Sequence, residues 1–124
     1  MEDVKLFFDT YALIEIYNGS ENYRKFQKTR VITSYFHLFE LYYILSKEKN
    51  EEEFIEFFRY LQNFCIDLKF NWIIEASKFR QKYKKRNLSY ADCIGYIIAR
   101  DLELKFLTGD KEFEDLPNVE FVKK

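Results

Sequence analysis

The chain has 124 residues, of which 48% are hydrophobic and 20% aromatic, with only three glycines and one proline. Such a composition supplies the core of one domain and excludes a disordered chain. The 20 basic and 21 acidic side chains nearly cancel, so bulk charge does not indicate a nucleic-acid binder, and any anionic substrate must be attracted locally.

Predicted strands and helices alternate along the first half of the chain. The first strand is a short apolar run (VKLFF), and the second is predicted because Val31, Ile32 and Thr33 are β-branched. The helix that starts at Tyr35 has apolar residues on nearly every side, so we expect it to be largely buried. In chain order, the predicted ranges are strand 4–8, helix 10–19, short helix 20–28, strand 30–33, helix 35–47 and helix 50–64.

The second half of the chain continues this alternation. A basic cluster ends its first helix, and Ser89 starts the next one. The predicted ranges are a weak strand or loop 65–70, helix 71–86, helix 89–103, strand 105–108, a helical turn 112–116 and strand 119–122. Together these elements predict a single α/β domain over residues 1–124, with a mainly parallel central sheet of four to five strands and helices on both faces.

The sequence also carries signals about its compartment. Cys65 and Cys93 are too few for a disulfide framework and have no metal-binding spacing. The N-terminal residues lack the basic and apolar regions of a signal peptide, and no segment approaches the roughly 18 uncharged apolar residues that cross a bilayer. We therefore expect a reduced, cytoplasmic protein without a membrane span.

Two aspartates follow predicted strands. Asp9 comes directly after the first apolar run, and Asp110 lies three residues beyond Leu107. Parallel strands end at one edge of a sheet, and ligands bind at that edge, so both side chains are candidates for a site. The alternative is that each aspartate only caps the helix that follows it.

Glu40 is a candidate because its helical neighbours include Phe36 and Tyr43. Its carboxylate is therefore expected on an apolar face, where it needs a metal ion or a structural partner such as His37 or an arginine.

Asp92 has an alternative explanation. It follows Ser89 in the Ser-x-x-acid pattern of a capping box, in which the cap and the third helical residue bond reciprocally. The two roles are compatible, because a carboxylate held at a helix N-terminus can still offer an oxygen to a metal ion.

These segments together resemble the PIN-domain ribonucleases, and within that family the VapC-like toxins of prokaryotic toxin–antitoxin pairs. The resemblance covers essentially the whole chain and rests on FFDTYALIEI, ITSYFHLFELYYIL, LSYADCIGYIIAR and FLTGDKEFEDLPNVEFV. It implies an acidic cluster that binds Mg²⁺ or Mn²⁺, formed by Asp9, Glu40, Asp92 and Asp110. It also implies three supporting hydroxyls, which are otherwise ordinary caps or strand residues: Thr10, Ser89 and Thr108. Asp115 is a further candidate, for which a surface carboxylate is the simpler interpretation.

The chemistry requires acids because carboxylates brought together raise one another's pKa, whereas a divalent cation favours their charged forms. Oxygen ligands suit hard Mg²⁺ or Mn²⁺. Such an ion can activate water for attack on a phosphodiester, which should leave a 5′-phosphate and a 3′-hydroxyl.

An acidic site also needs cations near its rim to attract RNA. The candidates for this role, which are otherwise a solvated helix end, are Lys82, Lys84, Lys85, Arg86 and Lys111. Tyr11, Tyr35 and Tyr90 adjoin the motifs and can stack on bases, although core packing is the simpler interpretation.

The resemblance implies a metal-dependent endoribonuclease, a protein antitoxin as its partner, and a homodimer. An RNA-processing or decay nuclease without an antitoxin is the main alternative, and a PIN fold that only binds RNA is another. An aspartyl-phosphate phosphatase would need an acid at position 11, where this chain has Tyr11. A phospho-accepting receiver module would need paired acids after the first strand, and Asp9 stands alone there.

Overall fold

The structure, a computed structural model, describes residues 5–124. Three parallel strands form a sheet in the order β1-β2-β3. They are β1 (Leu6–Phe8), β2 (Lys105–Thr108) and β3 (Val119–Phe121). Five helices surround them: α1 (Thr10–Asn18), α2 (Tyr35–Glu48), α3 (Glu51–Leu61), α4 (Phe70–Lys82) and α5 (Tyr90–Asp101). Residues 1–4, which include the start of the first predicted strand, lie outside the described residues.

The α/β class and the parallel sheet are confirmed, but the prediction of four to five strands is wrong for residues 5–124. Residues 30–33 do lie beside β1, where the Phe8 amide donates to the Ile32 carbonyl at 2.8 Å. The segment pairs on its other side only through one bridge between Thr33 and Cys65. The reason is that Ser34 already caps α2, so the extended segment ends before a ladder can form. Residues 65–69 are correspondingly a loop, and Phe70 already begins α4.

The helices cover both faces of the sheet because successive strand residues point to opposite sides. Phe7 and Phe106 pack with apolar residues of α4 and α5. Leu6, Phe8 and Leu107 pack with α1, α2 and α3. Within residues 5–124, no helix has both the length and the apolar character needed to cross a membrane.

Three predicted helices are shorter than expected. Residues 20–28 form a 3-10 helix (Glu21–Phe26), and α3 ends at Leu61 with one more 3-10 turn (Gln62–Phe64). The helix predicted to reach residue 86 ends at Lys82, and residues 83–86 form a turn. The basic cluster therefore lies partly in a loop.

The expectation that α2 is largely buried is wrong. Its buried apolar side chains are Leu38, Leu41 and Leu45, a single stripe at helical spacing. Four aromatic residues of the helix form an exposed surface, the aromatic face: Tyr35, Phe36, Phe39 and Tyr43. Phe39 is 78% exposed. Apolar residues on every side of a helix predict burial only if other elements cover all of those sides. In residues 5–124 other elements cover only one side of α2.

Candidate metal centre

A cavity of about 370 Å³ lies where β1 and β2 end, and all four predicted carboxylates line it. Asp9 directly follows β1, and Asp110 follows β2 after one glycine. α2 and the first turn of α5 contribute Glu40 and Asp92. We call this cavity the acidic pocket. The predicted hydroxyl residues Thr10 and Ser89 also line it.

Asp9 is the most buried of the four acids, with 1% of its surface exposed. It occupies the N-cap position of α1, yet among the described residues its side chain makes no capping hydrogen bond. Its Oδ2 instead accepts a hydrogen bond from Thr108 Oγ1 at 2.7 Å. Burial raises the pKa of Asp9 well above its usual range, and the carboxylates of Asp92 and Glu40 raise it further, against the opposing hydrogen bond from Thr108. Capping therefore does not explain this residue.

Asp92 forms the predicted capping box. The Asp92 amide donates to Ser89 Oγ at 3.0 Å, and the Ser89 amide donates to Asp92 Oδ2 at 2.8 Å. Burial raises the pKa of Asp92 to about 7, with contributions from the carboxylates of Glu40 and Asp110 and a partial offset from the Ser89 hydrogen bonds. Because the cap engages Oδ2, the carboxylate can still present Oδ1 to a cation.

Asp110 and Glu40 are held less tightly. Asp110 Oδ1 accepts from the Glu112 amide at 3.0 Å and so caps the short 3-10 turn Lys111–Phe113. Glu40 is half-buried, and the neighbours that suggested an apolar environment, Phe36 and Tyr43, are exposed. His37, the suggested partner of Glu40, lies against Asp9 instead.

The residues of the acidic pocket fit a hard divalent cation. Two buried oxygens, Asp9 Oδ1 and Thr10 Oγ1, have no hydrogen-bond partner in the described part of the chain. Neighbouring carboxylates also help to raise the pKa of Asp9 and of Asp92, an effect that a bound cation would reverse. Within residues 5–124, however, no three His, Cys, Asp or Glu side chains converge closely enough to form a coordination shell. Such a spread suits Mg²⁺, which keeps several waters and takes one or two carboxylates directly.

Among residues 5–124, none of the five predicted basic residues lines the acidic pocket. Arg86 pairs with both carboxylate oxygens of Asp115 at 2.7 and 2.9 Å and also donates to the Glu112 carbonyl. The same hydrogen bond lowers the pKa of Asp115. This pairing ties the turn after Asp110 to the loop before α5, which is a structural use of Arg86 and Asp115.

Arg80 is a cation that sequence reasoning missed. It stacks on the exposed ring of Tyr90, 4.9 Å from the ring centre, and its Nε donates to the Leu88 carbonyl at 3.3 Å. With Lys84, Phe36 and Tyr90 it lines a groove of about 610 Å³. In the helix predicted over residues 71–86, Arg80 and Lys84 have i, i+4 spacing, and that spacing is the signal that would have found Arg80.

Thr108→Val is expected to weaken Mn²⁺ binding by roughly 10- to 100-fold, the usual cost of losing a partner that orients a metal ligand. The hydroxyl donates to Asp9 Oδ2 and accepts from the Asp110 amide at 3.1 Å, so it links two of the acids. Valine keeps the shape but makes neither bond. Calorimetric titration with Mn²⁺ measures the change; an affinity equal to wild type would show that this hydroxyl orients neither acid.

A parallel sheet between two helical layers, with acids at the carboxyl ends of its strands, defines a small α/β domain with an acidic, cation-compatible site. The sequence matches the family model of the PIN domain over residues 6–119. The chain therefore belongs to the PIN domain family, as its resemblance implied. By sequence it matches none of the curated proteins with which it was compared.

Solved structures share the fold. A toxin–antitoxin complex from Klebsiella pneumoniae is similar at 22% identity and a TM-score of 0.74, covering 93% of this chain and 95% of its own. VapC20 of Mycobacterium tuberculosis, described as a toxin that cleaves the sarcin–ricin loop, has 15% identity and a TM-score of 0.80, with 94% and 98% covered. VapBC2 of Rickettsia felis, bound to a DNA fragment from its promoter, has 19% identity and a TM-score of 0.70, with 96% and 98% covered.

Proposed function

We propose that this protein is an Mg²⁺- or Mn²⁺-dependent endoribonuclease that acts as the toxin of a toxin–antitoxin pair. The observation that carries the proposal is that four carboxylates line one pocket at the carboxyl ends of β1 and β2. Membership of the PIN family and the fold shared with an RNA-cleaving toxin support it.

Asp9, Glu40, Asp92 and Asp110 would hold the cation. When bound, the ion lowers the pKa of a water molecule and neutralises charge that develops on the scissile phosphate. Thr108 holds Asp9 in one orientation through its 2.7 Å hydrogen bond, and the capping box holds Asp92. Water would lose a proton to solvent and add to phosphorus as the bond to the 3′-oxygen breaks, and the leaving 3′-oxygen would take up a proton, so that the products carry a 5′-phosphate and a 3′-hydroxyl.

The substrate must approach an acidic pocket on a protein with a formal net charge of −1. Local cations are therefore required. The groove with Arg80 and Lys84 adjoins the pocket through Tyr90, which follows Ser89, and through Phe36, one turn before Glu40. We assign these two cations to the RNA path; Lys82, Lys85 and Lys111 are exposed and line neither the groove nor the acidic pocket as residues 5–124 form them.

RNA cleavage by the full chain is tested with purified protein and mixed cellular RNA in Mg²⁺, Mn²⁺ or EDTA. We expect cleavage with either ion, none in EDTA, and 5′-phosphate ends on mapping. Cleavage that persists in EDTA would contradict the metal mechanism. Binding of RNA without cleavage under all conditions would favour a non-catalytic RNA-binding module.

A protein antitoxin is part of the proposal because two of the similar structures are toxin–antitoxin complexes. The genetic context tests it. A short neighbouring reading frame whose product binds this chain and suppresses its RNA cleavage supports the toxin role. Its absence would favour an RNA-processing or decay nuclease.

A homodimer is proposed through the aromatic face. Its residues lie along one side of α2, and Tyr35 and Phe39 line a pocket together with Phe58 of α3, so the exposed apolar surface is contiguous rather than scattered. Contiguous apolar surfaces of this kind mark protein interfaces, and two-fold dimers are the commonest assemblies.

Phe39→Glu is expected to convert a dimer to a monomer, because it places a charge at the centre of the aromatic face. Light scattering after gel filtration measures the change. Tyr60→Glu is the matched control, since Tyr60 is 56% exposed on α3 outside that face. A monomeric wild-type protein would contradict the homodimer.

A further inference from the structure

The single histidine of the chain, His37, lies buried beneath the acidic pocket. Its Nε2 faces Asp9 Oδ1 at 3.8 Å. In the part of the chain that the structure describes, neither of these two buried atoms has a hydrogen-bond partner. A pair of unpartnered polar atoms that face each other in a core is costly, so the arrangement calls for an explanation.

The hydrogen bonds of Ser34 indicate which nitrogen of His37 carries the proton. Ser34 Oγ lies 2.7 Å from His37 Nδ1 and also accepts from the His37 amide at 3.4 Å, as the cap of α2. The serine hydroxyl proton is then free to donate to Nδ1. Donation from the serine hydroxyl to Nδ1 corresponds to an imidazole proton on Nε2, the nitrogen that faces Asp9, and this is the tautomer that we assign to His37. Burial lowers the pKa of His37 to about 3, and the Ala91 carbonyl opposes this shift by a smaller amount.

The space for this ring comes from Gly95 on α5. A Cβ atom at position 95 would lie 2.6 Å from His37 Nε2 and 2.8 Å from Phe106 Cε1. On another side the ring of Phe7 meets the imidazole edge-on, with ring centres 4.9 Å apart. The imidazole is therefore held between β1, α2 and α5 with its Nε2 directed at the pocket.

We propose that His37 is a positioning residue for Asp9: its Nε2 donates a hydrogen bond to Asp9 Oδ1 and so orients that carboxylate toward a bound cation. The proposal rests on the proposed metal site. Closure from 3.8 Å to an ordinary length near 2.9 Å needs a shift of about 1 Å. Thr108 already donates to Oδ2, so each carboxylate oxygen then has one donor, and the orientation of Asp9 toward the cation is set from both sides.

Mn²⁺ titration of the full chain by calorimetry tests the proposal with three substitutions at one position. His37→Leu removes the donor, and we expect affinity to fall by roughly 10- to 100-fold. His37→Gln places an amide N–H near the position of Nε2 and should recover part of that loss. His37→Asn reaches only the position of Nδ1 and should not. If the leucine variant does not fold, the comparison of glutamine with asparagine decides the question.

Gly95→Ala provides an independent approach, because its methyl group displaces the imidazole without removing it. We expect weaker Mn²⁺ binding than wild type. The loss should be smaller in the His37→Leu background, since the displaced group is already absent there. Additive losses would mean that Gly95 acts on the pocket by a route other than His37.

Nitrogen NMR of the metal-free protein gives a readout that does not depend on cation binding. With one histidine in the chain, its ring signals are unambiguous, and we expect a neutral ring protonated at Nε2. A ring protonated at Nδ1 would overturn this inference alone. Equal Mn²⁺ affinity of the wild type and the leucine and glutamine variants would do the same, and we expect that equality if the Nε2 proton is donated to the Ala91 carbonyl rather than to Asp9. A wild-type protein that binds no Mn²⁺ would overturn the proposed function as well.

Discussion

Asp9→Asn is expected to abolish Mn²⁺ binding and RNA cleavage together while the metal-free protein becomes more stable at pH 8. The functional loss should exceed the roughly 10- to 100-fold that loss of an orienting partner costs, because Asp9 would itself contact the cation. Stability should rise because burial, with the charges of Asp92 and Glu40, disfavours the ionised carboxylate. Asparagine has nearly the same shape and no charge. Each tenfold factor by which folding disfavours the ionised form of Asp9 corresponds to about 1.4 kcal/mol in the free energy of unfolding.

The opposite signs of the two effects distinguish this result from unfolding. Calorimetry with Mn²⁺, end mapping of cleaved RNA and urea unfolding in EDTA measure them separately. Asp67→Asn is the matched control, since it removes the same charge from an exposed position in the loop before α4. If Asp9→Asn binds Mn²⁺ as tightly as the wild type does, Asp9 is not part of the metal site. If Asp9→Asn and the wild type cleave RNA equally, the proposed mechanism is wrong.

The pH dependence of the metal-free protein is the second large expected effect. The pKa of Asp92 rises from 3.8 to about 7 in the folded protein. Between those values the folded chain binds more protons at this group than the unfolded chain does, so stability falls as pH increases. The contribution is fully present below about pH 4 and lost by about pH 7. Its size is on the order of 4 kcal/mol as an upper bound.

Cation binding should follow the reverse trend. Mn²⁺ requires ionised carboxylates and displaces their protons, so affinity should rise with pH up to about 7, where Asp92 is ionised. Urea unfolding at pH 5 and pH 8, with EDTA or with Mn²⁺, measures both effects. Asp92→Asn should reduce the pH dependence of the metal-free protein to the part that the raised pKa of Asp9 contributes, while the asparagine oxygen still accepts the capping hydrogen bond from the Ser89 amide. A wild-type protein whose stability in EDTA is the same at both pH values would contradict the raised pKa.

Some of the site was predictable because its interactions are local. The capping box of Ser89 and Asp92 joins residues three apart, and a short sequence window contains all of it. Asp9 and Asp110 were predictable from the rule that parallel strands end at one edge, since each acid follows an apolar strand. The four carboxylates as a set required the family resemblance, because nothing in a single window shows that α2 and α5 meet at that edge.

Other predictions were wrong because they depended on contacts between residues far apart in sequence, which no short stretch of sequence contains. Glu40 was placed on an apolar face, but Phe36 and Tyr43 are exposed because no described element packs over that side of α2. Residues 30–33 have β-branched side chains, yet only one residue finds a bridge partner on its outer side. Propensity and periodicity describe what a segment can form, and its neighbours in space decide how much of it forms.

The sequence by itself determined the α/β class, the succession of most helices, the strands that precede the acids, and the cap that holds Asp92. These follow from hydrogen bonds and side-chain periodicities within a few residues. Only the tertiary structure decided that Asp9 is held by Thr108, 99 residues away, and that His37 faces Asp9 in a space left by Gly95. The acidic pocket belongs to this second group, because chain segments far apart in sequence place its charges together.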